Sequence, residues 1–212
     1  MNKLPRLIGI HGHAGVGKDT IAMYLNEWYI DCYCESFASP LKDAASQAFG
    51  IPRFHFDQSE IKELDNPYWN VSPRKIAQFF GTEMFRETIA KLIPEIGNDF
   101  WVKRLEGKLT QQILLEDEGE YNENDCVVIP DVRFQNEYDW ITGNNGIVIH
   151  LTRAGKDGNI GIPNHASESG IFLNAPSRTY TISNNSSIGD LYNEVDRCIE
   201  TFPYLNLVKK SS

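Results

Sequence analysis

Nine residues, Gly12-His13-Ala14-Gly15-Val16-Gly17-Lys18-Asp19-Thr20, constrain this chain more than any others. They follow the apolar run Leu7-Ile8-Gly9-Ile10 and precede Ile21-Ala22-Met23-Tyr24-Leu25, whose apolar spacing is helical. Strand, glycine-rich turn and helix start in succession form the context in which a phosphate-cradling loop works. Gly12, Gly15 and Gly17 let consecutive N–H groups turn inward toward phosphate oxygens, and the helix adds its partial positive end. Lys18 sets a compact cation where charge gathers on the β- and γ-phosphates during transfer. The next residue departs from the common pattern. The hydroxyl that ordinarily ligates Mg²⁺ gives way to the carboxylate of Asp19, with Thr20 following. A carboxylate is a harder and more charged oxygen ligand, so the substitution does not in principle abolish metal binding. The stretch predicts a nucleoside triphosphate site.

Composition narrows what such a chain does. At 212 residues it is long enough for one domain with a full core. The net charge of −9 argues against a general nucleic-acid binder, which would carry a basic face. Small anionic substrates need only local basic pockets. Cys32, Cys34, Cys126 and Cys198 form no CxxC pair and have no histidine at zinc spacing, so neither a zinc site nor a disulfide framework is indicated. Cys32 and Cys34 alternate along an expected strand and read as buried thiols of a reducing compartment. No apolar run approaches membrane-spanning length, and the first residues lack the apolar core of a signal peptide. A soluble, cytoplasmic protein is expected.

Ser39-Pro40 and Ser72-Pro73 are paired helix-start signals, a capping serine with proline at the first helical position. The first helix runs to Phe49, stops at Gly50 and carries Lys42 in its first turn. Residues 51–70 have no clean period and hold Phe54, Phe56, Tyr68 and Trp69, which either stack on a base or anchor the loop to the core. In the second helix, Arg74, Gln78, Thr82 and Arg86 form one polar stripe at 100° per residue, while Ile76, Phe79, Phe80 and Met84 face the other way. Such a stripe is either a solvated surface or, in a phosphate-handling protein, a clamp for phosphate and a reader of a base edge. Gly81 inside this helix predicts a close approach or a kink. A further helix is expected from Phe100 through Leu115.

The run Cys126-Val127-Val128-Ile129 does not alternate, which fits a parallel strand buried on both faces. Asp131 falls at its carboxyl end, where open α/β sheets bind ligands, in position to touch Mg²⁺ or its waters. Arg133 follows, placed for a phosphate. Another strand spans Ile147 to Leu151, a glycine-punctuated segment from Arg153 to Gly170 reads as a closing lid, and Arg178 to Ser183 is a last strand. A helix from Ile188 to Phe202 closes the chain, and the tail from Lys209 is expected to fray.

Taken together, these blocks resemble the deoxynucleoside monophosphate kinases of tailed bacteriophages. The blocks are the Gly17-Lys18-Asp19-Thr20 variant of the P-loop, Ser36-Phe37-Ala38 with Leu41-Lys42, and Arg74-x-x-x-Gln78-x-x-Gly81-Thr82-Glu83-x-x-Arg86. They continue with Asp131-Val132-Arg133-Phe134-x-Asn136-Glu137 and His165-x-Ser167-Glu168, in the family's order. The resemblance implies a single three-layer α/β domain of the P-loop NTPase type, with a five-stranded parallel sheet flanked by helices. It also implies a monophosphate-binding helical insertion at about 39–116 and a lid at about 153–170. By resemblance, Gly12 to Thr20 hold ATP with Asn184 or Asn185 near its adenine, Asp19, Thr20 and Asp131 hold Mg²⁺, and Lys18, Asp19, Asp131, Arg133 and Arg153 serve catalysis. Lys42, Arg74, Gln78, Thr82, Arg86, Trp101, Glu137, His165 and Glu168 then face the monophosphate. The implied reaction is transfer of the γ-phosphoryl of ATP to a dNMP, giving dNDP and ADP in the host cytoplasm if the chain is phage-encoded. A kinase of another small phosphoacceptor, such as dephospho-coenzyme A, and a nucleotide-dependent ATPase or switch stand as alternatives. No stable nucleic-acid or membrane partner is expected, and a homodimer is the default oligomeric state.

Overall fold

The computed structural model describes residues 4–110, 121–156 and 171–211. Five strands, β1 (Arg6–His11), β2 (Cys32–Cys34), β3 (Cys126–Val132), β4 (Ile147–Thr152) and β5 (Thr179–Ser183), form one parallel sheet in the order β2-β3-β1-β4-β5. Side chains alternate across it, so the central strands bury both faces. Ile8 and Ile10 pack on one side with Val128, Ile147 and Ile149, against α1 (Lys18–Trp28) and α7 (Ile188–Thr201). Leu7, Val127, Ile129 and Val148 pack on the other, against α2 (Ser39–Phe49), α3 (Pro73–Phe79), α5 (Phe100–Leu109) and α6 (Gln135–Gly143). This is the expected three-layer arrangement. β1 lies between β3 and β4, so the loops leaving β1 and β3 emerge side by side at the carboxyl edge.

The helix that begins at Ser72 departs from a regular α-helix. Ser72 caps it through the backbone N–H of Lys75, α3 runs to Phe79, a π-helical stretch spans Phe80–Thr88, and α4 (Ile89–Leu92) completes it. In an α-helix, positions four apart drift forward around the axis. A π turn is wider, each residue steps round by less, and the drift reverses. Arg74, Gln78, Thr82 and Arg86 therefore stay on one face over the whole length. Two observations account for the change at Gly81. Its carbonyl accepts a hydrogen bond from the buried Trp101 indole (3.0 Å), and a Cβ there would meet Leu41 Cδ2 at 3.2 Å. The expected apolar face is only half realised: Ile76 and Phe80 are buried, but Phe79 and Met84 are exposed, because the phase changes between them.

Two other expectations fail. Cys34 is exposed, since β2 ends there after three residues on the sheet's edge. The carboxyl-terminal tail is docked. Tyr29 and Lys209 form an antiparallel bridge, Lys209 Nζ reaches Asp196 (2.6 Å), and Lys210 Nζ caps the last carbonyls of α1 at Asn26 and Glu27 (3.1 and 2.8 Å). Asp196 also accepts from the hydroxyls of Tyr24 and Tyr29 (2.8 and 2.7 Å), so a half-buried polar knot ties tail, α1 and α7 together. Removing residues 207–212 is expected to lower the thermal unfolding midpoint by about 3–8 °C, given roughly 2–4 °C per kcal/mol at this size. An unchanged midpoint would show that the docked tail contributes nothing.

Candidate active site

The P-loop backbone is built for close approach. Gly12 has φ +154°, and a Cβ there would lie 2.2 Å from the Leu151 carbonyl oxygen. Gly17 has φ +108°, and its Cβ would lie 2.7 Å from Asn184 Nδ2. That amide donates to the Val16 carbonyl (2.7 Å), so Asn184 clamps the loop from the end of β5. Lys18 Nζ donates to the carbonyls of Gly12 and His13 (2.7 and 2.8 Å), which holds the ammonium over the loop. Ala14, Gly15, Lys18 and Asp19 open onto a cavity of about 580 Å³. Thr20, one step further along α1, is half-buried and outside the cavity lining.

Arg74, Gln78, Thr82 and Arg86 form the opposite wall of the same cavity, with Trp101 beside them. The stripe is not a solvated surface: Thr82 and Arg86 are 6% and 7% exposed. Both amide atoms of Gln78 are buried and have no hydrogen-bond partner among the described residues. An unsatisfied buried amide is costly, and a donor and an acceptor side by side suit the edge of a base. Arg86 is more firmly engaged. It pairs with the buried carboxylate of Glu137, donates to Asn136 Oδ1 and Asn98 O (3.3 and 3.4 Å), and stacks 3.8 Å over the Phe134 ring. Glu137 also accepts the backbone N–H groups of Arg133 and Phe134 (2.8 and 3.0 Å).

Between the two walls sits Asp131, at the end of β3. Its carboxylate accepts from Ser36 Oγ (2.7 Å) and from the N–H groups of Phe37 and Ala38 (3.1 and 2.8 Å). Three of about four lone-pair sites are thus used by the turn leading into α2. Arg133 lines the cavity, and Lys42 does so from α2, bonded to Asp57 (2.9 Å). Arg153 is exposed at the root of the expected lid. His165 and Glu168 lie outside the described residues. Trp69 anchors residues 51–70 by donating to the Phe49 carbonyl (2.9 Å), and Phe56 is buried and lines the cavity.

Some site features were not read from sequence. Lys156 is exposed, yet it places its Cε and Nζ 3.8 Å from where a Gly15 Cβ would stand, beside the P-loop. A lone lysine in a glycine-rich segment gives no signal of this. His11 and His150 stack 5.3 Å apart beneath the loop, and burial pushes the His11 imidazole down to about 4, so it stays neutral.

A parallel sheet with a P-loop at its central strand, facing a basic helix across one cavity, defines a phosphotransferase of the P-loop kinase class. A profile of the deoxynucleotide monophosphate kinases matches residues 52–195, more than half of the chain. The chain belongs to that family. It is 29% identical, over 94% of its length and 99% of the other, to a protein of Acanthamoeba polyphaga mimivirus provisionally named a deoxynucleotide monophosphate kinase. It is 25% identical to the deoxynucleoside-5'-monophosphate kinase of Escherichia phage T5, covering 78% of this chain and 84% of that one. Among solved structures, a gluconokinase from Sinorhizobium meliloti 1021 aligns with a TM-score of 0.44 at 10% identity, covering 96% of this chain and 98% of that one.

Burial pushes the Glu137 carboxyl up from 4.5 to about 7, against the opposing pull of Arg86 and two N–H groups. A raised carboxyl favours the fold while protonated: its contribution is full below the unfolded value and is lost as pH rises through the folded one. Relative to Glu137→Gln, the wild type is therefore expected to lose thermal stability between about pH 5 and pH 8. Midpoints that stay parallel across that range would mean the carboxyl is not perturbed.

Proposed function

We propose that the cavity holds ATP on the P-loop and a deoxynucleoside monophosphate on the Arg74–Arg86 wall, and that the γ-phosphoryl passes directly between them. The observation that carries this reading is the buried, unpartnered amide of Gln78 in the same cavity as Lys18. An acceptor phosphate oxygen attacks the γ-phosphorus, the new O–P bond forms, and the bond to the β–γ bridging oxygen breaks with its electron pair leaving on ADP. The acceptor is already an anion, so no general base is required. The chain's work is positioning, charge neutralisation and exclusion of water. Lys18 sits at the β/γ-phosphates, with Lys156 and Arg153 close to the same end. Arg74 and Arg133 face the acceptor phosphate. Gln78 and Thr82 read the base or sugar, and Arg86 is held in line by Glu137. Asn184 supports the ATP site through the loop it clamps.

The residues present fit Mg²⁺. Asp19 offers an exposed carboxylate at the cavity, while Asp131 is nearly saturated by protein donors. A magnesium ion usually keeps several waters and takes one or two carboxylates plus substrate phosphates. Asp19 would hold it directly, Asp131 would accept from its waters while fixing the Ser36–Ala38 turn, and Thr20 would support from α1. When bound, the ion would neutralise charge on the triphosphate. No helix among the described residues is long and apolar enough to cross a membrane.

A coupled assay of ADP release with ATP, Mg²⁺ and each of the four standard dNMPs tests the reading. Acceptor-dependent ADP formation is expected with at least one dNMP, together with a loss of at least about 100-fold in Lys18→Ala. Equal ADP release with and without every acceptor would contradict it.

A further inference from the structure

Among the described cavity lining, residues 51–70 contribute one basic side chain, and nothing above uses it. Lys62 lines the active-site cavity and is half-buried there. Its backbone is fixed: the N–H donates to Gln58 O (3.0 Å), and the carbonyl accepts from the N–H of Arg74 (2.9 Å). The next residue, Glu63, pairs with the Arg74 guanidinium. The segment is thus latched to the first turn of α3, and the Lys62 stem starts beside the expected phosphate clamp.

Its charge is what sets Lys62 apart. Three other cations of this wall have carboxylates: Lys42 has Asp57, Arg74 has Glu63 and Arg86 has Glu137. Among the described residues the Lys62 ammonium has no hydrogen bond or ion pair. Burial first, then Arg74, Lys42 and Arg133, hold its pKa below the ordinary lysine value, and the neighbouring Glu63, already paired with Arg74, offsets this only in part. A half-buried cation left among cations is unfavourable in the free protein. A phosphate dianion entering the cavity would reverse that cost, because each repelling neighbour then shares the same anion.

We propose that Lys62 is a ligand of the acceptor's phosphate, closing a clamp with Arg74 and Arg133. It acts on the monophosphate rather than on ATP, since its neighbours are the cations of α2, α3 and the end of β3. Compensating the acceptor's charge at this point reduces its repulsion by the triphosphate as the two approach. This assigns a role to the aperiodic insertion, which delivers one unpaired cation to a site otherwise built from helices, the P-loop and the end of β3. The inference rests on the reading of this cavity as a dNMP site.

The test is calorimetric binding, without ATP, of the four dNMPs and of the matching deoxynucleosides to wild type, Lys62→Met and Lys62→Arg. Lys62→Met keeps the apolar stem and removes the charge. It is expected to weaken dNMP binding at least about tenfold, leave deoxynucleoside binding within about twofold, and be largely rescued in Lys62→Arg. In turnover, the KM for dNMP should rise in Lys62→Met while the KM for ATP does not. Its thermal midpoint should hold or rise, because no partner is orphaned. Equal weakening of dNMP and deoxynucleoside, unchanged dNMP binding, or a wild type that binds no dNMP would overturn the proposal. Wild type that binds dNMP through Lys62 but releases no acceptor-dependent ADP would instead leave the clamp standing and remove the kinase reading.

Discussion

Two phosphate groups that must come within bonding distance repel each other, and this chain's architecture is organised around offsetting that repulsion. The P-loop gathers N–H groups, a helix end and Lys18 against one anion. Across a cavity of about 580 Å³, Arg74, Arg86, Arg133, Lys42 and Lys62 line the wall that we propose receives the other. The chain as a whole carries a net charge of −9, so the positive potential is local to this cleft rather than spread over the surface. Wherever bound substrates displace water from the cavity, the lower dielectric strengthens these interactions.

Holding those cations costs something in the free protein, and the molecule meets the cost residue by residue. Arg86 is given Glu137, Asn136 and the face of Phe134; Arg74 is given Glu63 from the insertion; Lys42 is given Asp57. The π-helical stretch serves the same end, because it narrows the spread of four polar residues that an unbroken α-helix would fan over about 120°. Gly81 allows it by letting Leu41 come close and by presenting its carbonyl to Trp101. Asp131 ties the far ends together: it fixes the Ser36–Ala38 turn from which α2 starts, beside the P-loop.

The parts of the chain legible in sequence were those with local signatures. The P-loop, the apolar runs of β1, β3 and β4, and the serine-proline starts of α2 and α3 each encode their structure within a few residues. The polar stripe was legible because four residues recur at one interval. Its environment was not, since burial of Arg86 depends on Glu137, 51 positions away. Phe79 and Met84 were misplaced because a constant 100° step misses a local widening of the helix. The engagement of Asp131 and Asn184 by distant backbone, the position of Lys156 over Gly15, and the docked tail all arise from tertiary contacts with no periodic trace. Lys62 was invisible for a simpler reason: an aperiodic segment offers no face on which to place it.

The central claim, that the P-loop and the α3 wall serve one shared cavity, is tested most directly by a bisubstrate analogue. Adenosine and a deoxynucleoside joined through a five-phosphate chain would span the ATP site and the acceptor site at once. A shared cavity predicts one analogue bound per chain, competition with both ATP and the dNMP, and affinity well beyond that of either substrate alone. Competition with ATP only, at an affinity no better than that of ATP, would contradict it and return the arginine wall to a structural role.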